Sequence, residues 1–205
     1  ENFAVYQCRF WDYESIQIKK DETVVKLKNN TTRLTLSLKH KNRASCNIAF
    51  GKDNPQKYIL CNGKHLPDYP LTDTTPFIDN GYRTDSVTLT GYLRNPPSSR
   101  PFDVSIPGKE EKYQTDIDSL GRFTLRFPVL NSHNVFIDWG RTTIWSAVEP
   151  GETYFLYVDY AQQQKLFMGK KARVLNELLS HEGLRESLDY NEEQKRSNLE
   201  CLHKT

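Results

Sequence analysis

Apolar and polar positions alternate with period two over most of the chain, which is the signature of half-buried β-strands. Val87, Leu89 and Leu93 interleave with Thr88, Thr90 and Tyr92, and Phe123, Leu125 and Phe127 with Arg122, Thr124 and Arg126. In the first third, Leu34, Leu36 and Leu38 are set against Thr35, Ser37 and Lys39. The same pattern predicts strands over 3–11, 15–19, 23–28, 33–39, 45–50 and 57–60. Turn signals separate them: Asp21, the run N-N-T-T from Asn29, Asn42 and G-K-D-N-P from Gly51.

From Leu66 to Asp85 the composition shifts to Pro, Asp, Thr and Gly, and Pro67, Pro70 and Pro76 each remove a backbone donor. A domain boundary is expected near 82–85. A second unit, 86–169, carries about seven strands. A proline-rich loop from Asn95 follows its first strand, and a hairpin runs through Asp118 and Ser119, where Gly121 is expected to supply a positive φ or a bulge. Only then does the period change. Val174, Leu175, Leu178 and Leu179 make one apolar helix stripe, and D-Y-N-E from Asp189 places Glu192 in a capping box that starts a second helix. That helix meets Thr205 without a stop signal, so the biological protein is expected to continue. The predicted fold is mainly β: two sandwich-like antiparallel domains, 1–85 and 86–169, then a helical connector, 170–205.

Composition narrows the function classes. With 28 basic and 26 acidic residues and a formal charge of +2, the chain has no single-sign block to track phosphates, so nucleic acid is not expected as a partner. No apolar run reaches the roughly 18–20 residues of a membrane-spanning helix. The chain begins at Glu1 without a basic and apolar leader, which reads as a processed start. Cys8, Cys46, Cys61 and Cys201 include no C-x-x-C pair. Cys46 and Cys61 are read either as buried thiols or as a bridge across a hairpin in an oxidising compartment.

The run S-V-T-L-T-G-Y-L-R-N from Ser86, D-I-D-S-L-G-R-F from Asp116, N-V-F-I-D-W-G from Asn134 and E-P-G-E-T-Y-F-L from Glu149 resembles a known module. It is similar to the β-sandwich domain that precedes the thioredoxin-like domain in envelope thiol-disulfide oxidoreductases of the Bacteroidetes. The segment from Leu166 to Leu179 resembles the lead into a helical connector, and R-F-W-D-Y at Arg9 is similar to an extra N-terminal β-domain of some members. The resemblance implies a periplasmic protein or outer-envelope lipoprotein whose signal has been removed. Its redox chemistry would lie in a C-terminal thioredoxin-like domain with a C-x-x-C, to which no cysteine here can be matched. The implied partners are that domain, its substrate proteins, or a second copy of the chain.

The residues themselves offer no catalytic set and imply no cofactor. His40, His65, His133, His181 and His203 lack metal-ligand spacing. Asp116 and Asp118 share a strand face, but a calcium loop needs more oxygen ligands. No G-x-S-x-G elbow surrounds any serine. The sequons at Asn29 and Asn30 matter only in a eukaryotic secretory chain. Binding chemistry is carried by aromatic residues: Trp139, Trp145, Tyr154, Tyr157 and Tyr160 crowd into neighbouring strands. Two readings stay open. The strand 154–160 is either buried on both faces, by the sandwich core and by the C-terminal helix, or it presents a platform for a sugar ring or a partner. The corresponding functions are an accessory domain pair that positions the redox domain, docks its substrate or self-associates, and a stand-alone glycan- or peptide-binding module of the envelope.

Overall fold

A computed structural model of the chain describes residues 2–30, 32–39, 41–42, 44–59, 84–96, 100–139, 142–169 and 172–180. The fold is mainly β, with one short helix. Six strands, β1 (Phe3–Tyr6), β2 (Arg9–Ile18), β3 (Glu22–Asn29), β4 (Thr32–Lys39), β5 (Ser45–Phe50) and β6 (Gln56–Ile59), form a single antiparallel meander in chain order. The Pro-rich stretch 66–83 and the second predicted helix lie outside the described residues.

Two details of this sheet differ from the sequence reading. Residues 3–11 are not one strand, because Gln7 and Cys8 turn the chain with φ of 50° and 56°. Two positive-φ residues in a two-residue hairpin loop are normally Asn-Gly, so the turn carries no sequence signal. Conversely, no turn separates Trp11 from Ser15: β2 runs through both, and a bulge between Tyr13 and Ser15 absorbs the change of register.

The second unit packs two four-stranded sheets face to face. One has the order β10-β7-β13-β14, with β7 (Asp85–Arg94), β10 (Arg122–Val129), β13 (Thr153–Asp159) and β14 (Gln164–Met168). The other has the order β12-β11-β8-β9, with β8 (Phe102–Ser105), β9 (Lys112–Thr115), β11 (His133–Trp139) and β12 (Thr142–Val148). Alternation decides what lies between them. Phe123, Leu125, Phe127 and Val129 of β10 point inward, where Phe102 stacks on Phe123 at 3.9 Å and Tyr113 on Phe127 at 5.1 Å. Each such side chain contributes about 1.5–3 kcal/mol by leaving water. β13 pairs with β7 in parallel, which puts Tyr154, Leu156 and Val158 in the core of a central strand.

Helix α1 (Ala172–Ser180) does not cover the outer face of β13. It closes the open side of the sandwich between the edge strands β14 and β12. Ala172 and Leu175 enter the core and Leu179 packs against it, while Val174 and Leu178 of the predicted stripe are exposed. The buried face is completed by Asn176: its Oδ1 accepts from the Phe167 N–H at 2.7 Å and its Nδ2 donates to the Phe167 carbonyl at 2.8 Å. One side-chain amide thus fills the pairing site of an edge strand.

Candidate functional site

The outer face of the β10-β7-β13-β14 sheet is where the two β-units meet. The β1–β2 hairpin lies on it. Its Phe3 ring stands edge-on to Tyr92 at 4.9 Å, and Phe10 edge-on to Phe155 at 5.5 Å. Phe155, the outward aromatic of β13, is buried by this contact. At the hairpin tip, the buried Cys8 thiol donates to the carbonyls of Met168 at 3.5 Å and Thr153 at 3.7 Å. Burial pushes the Cys8 pKa up, with the Phe155 backbone N–H pulling less strongly the other way. The thiol is therefore a structural donor and not an activated nucleophile.

The D-S-L-G-R-F turn supplies the second half of the junction. Asp118 Oδ1 accepts from the backbone N–H groups of Leu120 and Arg122, at 2.9 and 2.8 Å, and Oδ2 holds Arg122 Nε at 2.7 Å. Burial raises the Asp118 pKa, but these bonds and the Arg122 charge outweigh it and hold the carboxyl below its ordinary value. Fixed in this way, the Arg122 guanidinium lies 5.5 Å from the Phe10 ring centroid and 5.8 Å from that of Phe3. Asp118, weighed from sequence as a cation ligand, is committed to the turn and to Arg122.

Between hairpin and sheet lies an open cavity of about 560 Å³. Cys8, Arg9, Phe10 and Asp12 form its roof. Asn29 and Asn30, at the β3–β4 turn, form one end, and Asn29 Nδ2 ties that turn to the Phe10 carbonyl at 2.6 Å. The floor is a set of threonines on rigid strands, Thr88 and Thr90 of β7, Thr124 of β10 and Thr153 of β13. Thr90 lies directly opposite Thr124, and Thr88 opposite Thr153. Among the described residues, no group of three or more His, Cys, Asp or Glu is placed to hold a metal ion. Comparison with protein-family models, curated proteins and solved structures finds no match for this chain.

The five aromatics expected to form a platform are divided between the core and two different outer faces. Trp139 and Tyr154 are each 1% exposed. Trp139 Nε1 donates to the carbonyls of Pro101 at 3.1 Å and Arg100 at 3.2 Å, and Tyr160 packs on Trp139 and donates its hydroxyl to the Trp139 carbonyl. Tyr157 faces Tyr92 on the junction side, with its hydroxyl on the buried Asp159. Trp145 lies on the outer face of the opposite sheet, 38% exposed and 5.1 Å from Phe136. The physical reason is the strand period: neighbouring positions of β13 point to opposite faces. Cys46 is a buried thiol 3.7 Å from the Lys39 carbonyl and lies opposite Tyr58 in the β5–β6 pairing. Cys61, its proposed bridging partner, lies outside the described residues.

The buried tyrosines give the fold an alkaline limit. Burial is the main cause raising the Tyr160 pKa to about 12, and it raises that of Tyr154 further, with the charges of Glu149 and Glu152 adding to the effect. Above the ordinary value of 10.0 the unfolded chain releases protons that the folded chain retains, so stability is complete below pH 10.0 and declines above it. For Tyr154 the loss is about 1.4 kcal/mol per pH unit. Absorbance titration of tyrosinate is expected to show these two groups ionising in a late step that coincides with unfolding. Ionisation of all eleven tyrosines in one step near pH 10.0 would contradict the assignment.

Proposed function

We propose that this chain is the non-catalytic accessory region of an exported thiol-disulfide oxidoreductase, placed in the periplasm or on the outer envelope as a lipoprotein. In this reading it positions a thioredoxin-like domain and presents surfaces to that domain's substrate proteins or to a second copy of itself. The observation that carries it is the Asp118–Arg122 pair. The D-S-L-G-R-F element on which the resemblance rests holds a guanidinium against Phe3 and Phe10, and so joins the N-terminal sheet to the sandwich. A firm joint between two units suits an arm that sets an orientation better than it suits independent modules on a tether. Cys8 and Cys46 are both buried and support no thiol exchange of their own.

The test is the mass and redox activity of the native product. Intact mass spectrometry is expected to find a larger chain carrying a C-x-x-C domain, and that product is expected to reduce insulin disulfides while the 205-residue piece is inert. A native product without such a domain, inert in the same assay, would remove the oxidoreductase reading.

A further inference from the structure

The cavity between the β1–β2 hairpin and the sandwich has the size and lining of a ligand site, and neither the resemblance nor the redox reading gives it a role. Its volume of about 560 Å³ falls within the range of small-molecule sites, and its place between two packed units is where such sites concentrate. The chemistry of the lining selects among ligand classes. A hydrophobic ligand is disfavoured, because threonine hydroxyls, asparagine amides and charged groups dominate the walls, and Phe10 and the Cys8 thiol are the apolar exceptions. An anion is disfavoured as well. Arg122 is neutralised by Asp118 at 2.7 Å, and the two other charged groups of the lining, Arg9 and Asp12, are of opposite sign. A metal ion finds a single carboxylate among the lining groups.

What remains is a wall that donates and accepts hydrogen bonds without net charge. Each threonine hydroxyl does both, and Asp12 accepts. Strand register staggers the four hydroxyls over three neighbouring strands. Their carrier carbons are spaced about 5 Å across the sheet and about 7 Å along it. The floor is rigid because β7 and β13 are the two inner strands of their sheet. A ring bearing hydroxyls at fixed equatorial separations meets such an array with little loss of entropy on either side. We infer that this cavity is a binding site for a neutral saccharide, seated on the threonine floor and held from above by Asp12, which shares the junction face of the hairpin with Phe3 and Phe10.

The inference is independent of the redox reading, and its test leaves insulin reduction aside. The full 205-residue chain is applied to an array of neutral oligosaccharides, with sialylated and sulfated glycans and unmodified peptides printed beside them. Retention on at least one neutral oligosaccharide is expected. Calorimetry with the soluble form of that oligosaccharide should then show binding weakened about tenfold or more by Asp12→Ala and by Thr124→Val, at unchanged melting temperature. Both positions are exposed, so the fold should survive either change. Trp145→Ala, on the far sheet, is expected to leave the affinity unchanged. The inference is overturned by three results: no neutral oligosaccharide retained; stronger retention of the charged glycans or peptides; or an affinity that falls in Trp145→Ala but not in the two cavity variants.

Discussion

Gly121→Val is expected to destabilise the protein by about 3–5 kcal/mol, a large fraction of an ordinary domain's stability. Gly121 sits in the β9–β10 turn at φ of 84°, a region where β-branched residues are strongly disfavoured. A Cβ built there would lie 2.3 Å from the Leu93 carbonyl oxygen, a backbone atom that cannot swing away. The turn must therefore move, which also breaks the 2.8 Å bond from the Leu93 N–H to the Gly121 carbonyl. Alanine meets the same oxygen, so Gly121→Ala should cost nearly as much. Because Arg122 is the next residue, the damage should reach the junction, with amide shifts changing at Phe3 and Phe10 as well as at 118–122. Urea denaturation of the two variants is the check. A midpoint within error of the parent's would mean that the glycine is not required by its turn.

Asn176→Ala should cost about 2–5 kcal/mol, because it leaves both the N–H and the C=O of Phe167 buried without a partner. Asn176 is only 3% exposed, so water cannot replace its amide without opening α1 away from β14. Two consequences are measurable. Hydrogen exchange at Phe167 should accelerate, and the uncovered edge of β14 should promote self-association, visible by size-exclusion chromatography at rising concentration. Asn176→Asp, which puts an unpaired carboxylate oxygen against the Phe167 carbonyl, should be at least as damaging at neutral pH. If Asn176→Ala matched the parent in both exchange and stability, the amide would be a passenger and α1 would be held by Leu175 and Leu179 alone.

The strands were legible because alternation is a local signal, and it survives wherever one face of a strand is buried. β3, β4 and β5 follow their predicted spans within a residue. The features that escaped depend on partners far away in sequence. The Gln7–Cys8 turn carries none of the usual turn residues; it forms because the Cys8 thiol and the flanking Phe3 and Phe10 find a surface made by β7, β13 and β14. Asn176 reads as a polar residue on the wet side of a helix, whereas the edge of β14 requires an amide there. Its place on the buried face shifts the stripe by one position and leaves Val174 and Leu178 outside. The same logic explains the aromatics of β13. A central strand in one sheet of a sandwich, covered on its other side by a separate sheet, is apolar on both faces, and neighbour spacing alone cannot separate that from a platform. The candidate cavity was invisible from sequence, because its threonines are the ordinary outward residues of three strands until the hairpin lies over them.

The β1–β2 hairpin also sets an order of events at the ribosome. Every strand of the first sheet pairs with its immediate neighbour in the chain, so that sheet can assemble as soon as it emerges. Its seat does not yet exist, since Cys8 contacts residues 145 and 160 positions downstream. At about 5–20 residues per second, the nascent chain holds Phe3, Cys8 and Phe10 exposed for roughly 7–30 s before Thr153 is made. Phe3, Cys8 and Phe10 are thus made well before their seat and docked only after it, and in that interval they are a natural target for a chaperone.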